Sequence, residues 1–212
     1  KPRGFLAHVD ASGDRFEANS LTVQTHKVTP QFLHLDRAIR FLDALTPYRM
    51  RLMGYLALLT GMRREEVVSM DCRVLPNPAG RDSNKQIPMH LDPSITPTKG
   101  EKDRTVMLPY DLAVALYQYF TFERSRLLAK HRAKFGIETT LLFLSQTGDP
   151  LSVNGLNNAF RRVSQKTGIW CTPHMLRHTF GTYELMRMSR QKTQTQALLW
   201  RSEEHTSELQ SH

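Results

Sequence analysis

Three stretches of this 212-residue chain carry side chains that can act together on one phosphodiester. In Thr60-Gly61-Met62-Arg63-Arg64-Glu65-Glu66, Arg63 stands at the mouth of a helix. Glu66 lies one turn on, placed to bond back to the start of that turn. In Thr98-Lys99-Gly100-Glu101-Lys102-Asp103-Arg104, Lys99 falls at a hairpin tip. In Thr172-Pro173-His174-Met175-Leu176-Arg177-His178-Thr179-Phe180, the i, i+3 spacing sets His174 and Arg177 side by side on one helix face. Two arginines can fork onto the non-bridging oxygens of a phosphodiester and stabilise the extra charge of a pentavalent transition state. A histidine beside them can move a proton at neutral pH. A lysine on a hairpin tip can reach the leaving 5′ oxygen and protonate it. Such a set performs phosphoryl transfer without a metal once a nucleophile is supplied.

Each residue also has an ordinary use. Arg63 can cap its helix or pair with Glu66 or Asp71, since most arginines are solvated or structural. Lys99 can be a plain turn lysine, and Lys102 is as well placed. His174 can be a helix-start residue satisfied by backbone, and His178 can buttress the site or the core. Cys171, His174 and His178 together can be read as metal ligands of a hydrolase, although Met175 stands where an HExxH site has glutamate and no fourth ligand is near in sequence. Helix 152–166 turns Asn157, Arg161, Arg162 and Lys166 away from its apolar face, to serve either as a solvated surface or as contacts to phosphates and groove edges. Tyr117, Tyr119, Phe120 and Phe122 read as core rather than as a base-stacking platform.

The elements that must hold these residues follow from periodicity. Leu35, Ile39 and Leu42 predict a helix from about 35 to 45. Pro47 opens a second, which ends near Gly61, and 64–70 forms a short third. From 74 to 93 the pattern fails, and Pro76, Pro78, Gly80, Asp82 and Asn84 read as loop. Ile95–Thr98 and Arg104–Leu108 predict two short strands around the lysine turn. Asp111 to Lys134 predicts one long helix, and Leu141–Leu144 a buried run. Ser152 caps a helix that Gly168 stops, and Thr172-Pro173 opens a last helix through about Met188. The fold class expected is mainly α with a small antiparallel β-sheet (α+β).

Lys and Arg number 29 against 20 Asp and Glu, giving +9 and an isoelectric point near 9.8. That excess favours a polyanionic partner, although a basic protein without one carries the same charge. No stretch approaches the roughly 20 apolar residues that cross a bilayer. The two cysteines, Cys72 and Cys171, have no CxxC partner and fit a reducing, intracellular compartment. The segment 201–212 has one apolar residue and no period. It reads as an in-frame translated sequencing adapter and is set aside from the fold. Residues 1–28 read as a lead-in, and 29–200 as the folded domain, starting near Thr29-Pro30.

The order Arg, Lys, then His-x-x-Arg-His-Thr-Phe resembles the catalytic signature of the tyrosine recombinases, the phage-integrase family. TGMRREE is similar to the family's first box, TKGEKDR to its lysine turn and PHMLRHTFGT to its second box, all in the right order across 29 to about 190. The resemblance implies a recombinase catalytic-core fold. It implies that Arg63 and Arg177 clamp the scissile phosphate, that Lys99 is the general acid and that His174 assists proton transfer. Lys99 is preferred to Lys102 because the family places its lysine just before the turn glycine. A tyrosine attacks the phosphate, leaving a 3′-phosphotyrosyl link and a free 5′ hydroxyl. The partners implied are double-stranded DNA and sister protomers, with no cofactor, no metal, no membrane and no small-molecule substrate. The expected location is the cytoplasm, on the nucleoid, for a bacterial or phage-encoded protein.

The chain departs from the family near its end. Neither a Leu-Gly-His nor a Leu-Gly-Trp box is present, and Trp200 lacks the preceding glycine and reads as core. Tyr48, Tyr55, Tyr110, Tyr117, Tyr119 and Tyr183 all precede the family's nucleophile position, and Tyr183 shares a helix with His174 and Arg177 and cannot swing round. The nucleophile and the N-terminal core-binding domain are expected to be missing, and the fragment inactive. A non-catalytic DNA-binding module of the same fold is the alternative.

Overall fold

The computed structural model describes residues 32–96 and 103–209, with the backbone alone beyond 192. The expected lead-in 1–28, the Thr29-Pro30 start and the turn bearing Lys99 and Lys102 lie outside the described residues. Helix α1 (Leu35–Asp43) is followed by α2 (Tyr48–Thr60) and α3 (Arg64–Val68). Strands β1 (Ile87–Leu91) and β2 (Arg104–Leu108) come next, then α4 (Tyr110–Gln118), α5 (Ser125–Phe135), α6 (Val153–Thr167) and α7 (Pro173–Leu209). The architecture is mainly α with one two-stranded antiparallel sheet, as expected.

Helix α2 is the axis of the core. Leu52, Met53, Leu56, Ala57 and Leu58 bury its several faces, the pattern of a helix surrounded by others. It packs against α1, α3, α4, α7 and β2. Phe41 of α1 and Phe160 of α6 meet with ring centroids 5.2 Å apart beneath it. Thr179, fully buried on α7, accepts from Leu33 N at 2.9 Å, which fastens the start of α1 to α7.

Four expectations need correction. The buried face of α1 is Ala38, Phe41 and Leu42, while Leu35 and Ile39 are 40% and 39% exposed. Two stripes one residue apart fit the same spacing, and the larger ring of Phe41 takes the core. The partner of β2 is Ile87–Leu91, inside the stretch read as loop, whereas Ile95 and Thr96 form a turn. Pro88 is tolerated because each strand of a two-stranded ribbon keeps a free edge. The helix read as continuous from 111 to 134 is broken by a π-helical segment at Tyr119–Arg124. That turn buries Tyr119 against Phe143 (centroids 5.4 Å apart) but leaves Phe122 exposed. Helix α7 runs to Leu209 rather than ending near Met188, since no Gly or Pro follows Gly181 to interrupt it. Trp200 lies within it, and its side chain is outside the described residues.

Candidate active site

Helix α2 ends where Gly61 turns left-handed at φ 65°. A side chain at 61 would strike the Phe180 ring, so α2 and α7 approach closely only with glycine here. Arg63 then stands extended at the mouth of α3. Its backbone N–H donates to Glu66 Oε2 at 2.8 Å and its Nη1 to Glu66 Oε1 at 3.0 Å. Arg104, first residue of β2, donates through Nη2 to the same Glu66 Oε2. Glu66 is 1% exposed, so one buried carboxylate aims two guanidiniums. Asp71, the other partner considered for Arg63, pairs instead with Arg73 at 2.8 Å.

On α7, Thr172 Oγ1 accepts from Met175 N at 3.2 Å and caps the first turn, with Pro173 at its first position. His174 and Arg177 follow one turn apart. Arg177 Nη1 donates to the Gly61 carbonyl, which holds its guanidinium at the end of α2. Burial, then the charges of Arg63 and Arg104, push the Arg177 pKa below its ordinary value, while Glu66 opposes the shift. His174 Nε2 lies 2.9 Å from His178 Nε2. Partial burial, then His178, Arg177 and Arg64, hold the His174 pKa below the usual 6.5, against a smaller pull from Glu65. The shift favours the neutral imidazole, the form able to take a proton.

Arg63, Arg64, Glu65, Pro173, His174 and Arg177 line one cavity of about 390 Å³. Three of the four residues expected to act on a phosphate are thus together. Lys99 lies outside the described residues, in the sequence between Leu91 of β1 and Arg104 of β2, which the antiparallel register sets opposite each other. The cavity holds more positive than negative side chains, and the like charges on Arg63 and Arg177 favour an anion between them.

The residues expected on the α6 face divide. Asn157 and Arg161 line a second cavity of about 450 Å³, which shares Arg64, Pro173 and His174 with the first. Arg162 and Lys166 are exposed and line neither. Burial pushes the Cys171 thiol up to about 12. Among the described residues no group of three His, Cys, Asp or Glu side chains is placed to hold a metal ion. Two contributors went unnoticed in the sequence. Arg64 is adjacent to Arg63, and a second basic residue in that box was the available signal. Arg104 meets Glu66 across 38 residues, and no local pattern announces that pairing.

The model of the phage integrase family matches residues 25–208. A tyrosine recombinase XerC of Bacillus subtilis (strain 168) is 30% identical over 88% of this chain and 58% of its own length. A tyrosine recombinase XerC of Lactobacillus leichmannii is 27% identical over 88% of this chain. The chain spans 59% of that relative's length. The crystal structure of the XerH site-specific recombinase bound to difH substrate, a pre-cleavage complex, overlays with a TM-score of 0.55 at 22% identity. It covers 74% of this chain and 43% of the XerH chain, and this likeness concerns the fold.

Proposed function

Since this chain belongs to the phage integrase family, we propose that residues 29–200 form the catalytic domain of a site-specific DNA recombinase. It cleaves one strand of duplex DNA by transesterification and rejoins it to another. The observation that carries the proposal is the shared cavity of Arg63, His174 and Arg177. A phosphodiester seated there meets both guanidiniums, and they stabilise the charge that grows on its non-bridging oxygens. Neutral His174 accepts or relays a proton. Lys99, from the connection between β1 and β2, is the general acid for the leaving 5′ oxygen. Asn157, Arg161, Arg162 and Lys166 make the flanking DNA contacts. The partners are double-stranded DNA and sister protomers, as the relatives' name of recombinase suggests, and the setting is a bacterial cytoplasm on the nucleoid.

Among the described residues no tyrosine lines the cavity. Tyr119 is buried and Tyr183 accepts from Leu35 N at 3.2 Å through its hydroxyl. The nucleophile in this proposal is a tyrosine other than the chain's six. The same observation favours the second reading, a DNA-binding module without cleavage. A nicked suicide duplex separates the two. A version extended to carry the tyrosine segment should form a covalent adduct, and this chain should not. Failure of the extended version to trap DNA while still binding it would leave only the module.

A further inference from the structure

The carboxylate that aims Arg63 carries two cations. Glu66 Oε1 accepts from Arg63 Nη1 at 3.0 Å. Its Oε2 accepts from the Arg63 backbone N–H at 2.8 Å and from Arg104 Nη2. Glu66 is buried, so its charge must be neutralised by these partners rather than by water. With a single guanidinium at hand, that neutralisation would consume Arg63. An arginine and a carboxylate close into a two-bond fork, and the pair presents no net charge to a third ion. A second guanidinium leaves one positive charge over, and Arg63 is the arginine of the two that faces the 390 Å³ cavity.

Arg104 stands behind the site. It does not line the 390 Å³ cavity but, with Gly61, Arg177 and His178, a neighbouring one of about 530 Å³. Glu66 lines neither. The Arg104 Nε is buried and has no partner among the described residues, a cost that the bond to Glu66 must offset. Arg104 is also close enough for its charge to act on Arg177, where it adds to that of Arg63. A second anion is therefore favoured where Arg63 and Arg177 meet.

We propose that Arg104 is a positioning residue of the phosphate site. By neutralising Glu66 from behind, it keeps the charge and the remaining N–H groups of Arg63 available to an anion in the 390 Å³ cavity. It acts through Glu66 and does not touch the phosphate. The proposal rests on the recombinase reading of that cavity and gives a role to a residue that the reading does not use.

The test titrates the whole chain with inorganic phosphate and follows the arginine Nε–H signals by 15N NMR. In the wild type, the Arg63 and Arg177 signals should shift and saturate. Arg104→Ala should weaken phosphate binding about tenfold, the worth of one charge-assisted hydrogen bond. Arg104→Gln, uncharged but close in bulk, carries the same test if the alanine variant does not fold. Arg104→Lys should keep most of the affinity, because an ammonium still neutralises Glu66. In a Glu66→Gln background there is no carboxylate to neutralise, so Arg104→Ala should cost little more. Wild-type affinity in both uncharged variants overturns the role of Arg104. So does a loss that persists in full beside Glu66→Gln, which would mark either direct contact with the anion or a purely structural residue. Absence of any saturable shift at Arg63 and Arg177 in the wild type overturns the phosphate-site reading, and this proposal with it.

Discussion

Arg177, on α7, donates to the carbonyl of Gly61, at the end of α2, across 116 residues of sequence. That one bond joins the two boxes of the site. It also explains why a left-handed glycine precedes the first arginine. The turn that points the Gly61 carbonyl at Arg177 is the turn that clears the Phe180 ring.

Gly61→Ala should therefore damage fold and site together. A left-handed alanine costs about 1 to 2 kcal/mol, and the crowding against Phe180 adds to it. A loss of about 2 kcal/mol lowers the melting temperature of a chain this size by roughly 4 to 8 °C. Thermal unfolding followed by circular dichroism checks this, and an unchanged melting temperature would show that the turn is not constrained.

Glu66→Gln should loosen both Arg63 and Arg104. The carboxylate is buried, but the two arginine side chains are 33% and 29% exposed and solvent screens them. The cost should fall below that of a fully buried pair, at about 1 to 2 kcal/mol. Chemical denaturation gives the number. Duplex affinity measured on the same protein should fall further than the stability change requires, because Arg63 is no longer aimed.

The His174 shift has a sign that can be checked. Its folded pKa lies below the usual 6.5, so between the two values the unfolded chain binds the extra proton. The stability it contributes is present above pH 6.5 and is lost as the pH falls through the folded value. A histidine proton NMR titration should place the midpoint below 6.5, and His174→Gln should flatten that part of the stability profile. A midpoint above 6.5 would mean that Glu65 outweighs the surrounding cations.

Tyr119→Phe addresses the π-helical segment. The hydroxyl accepts from Leu144 N at 3.5 Å, and burial pushes its pKa up to about 12. Its loss leaves a buried N–H without a partner and should destabilise by about 1 kcal/mol, read by chemical denaturation. Duplex binding should be unchanged, because the residue lies in the core away from both cavities.

Local signals were readable in the sequence. The Ser152 hydroxyl accepts from Gly155 N at 3.0 Å and Gly168 ends α6 in the left-handed region, as the capping residues indicated. Glu66 bonds back to Arg63, as the capping spacing indicated. What could not be read depends on contacts distant in sequence. Arg104 joins Glu66 because β2 packs on α2, the helix that α3 follows, and β1 forms because β2 supplies a ladder that Pro88 can still join. Leu35 and Ile39 are exposed for the same reason: which stripe of α1 is buried depends on where α6 brings Phe160.

The central claim is that Arg63 and Arg177 serve the charge on one scissile phosphate. Cleavage by the tyrosine-bearing version, on duplexes with an ordinary phosphate or a neutral methylphosphonate at the cut, tests it most directly. On the phosphate, Arg177→Ala should lose about a hundredfold to a thousandfold in rate. On the methylphosphonate, which has one fewer charged oxygen to stabilise, most of that loss should disappear. An equal loss on both duplexes would contradict the claim and reduce Arg177 to a residue that holds α2 against α7.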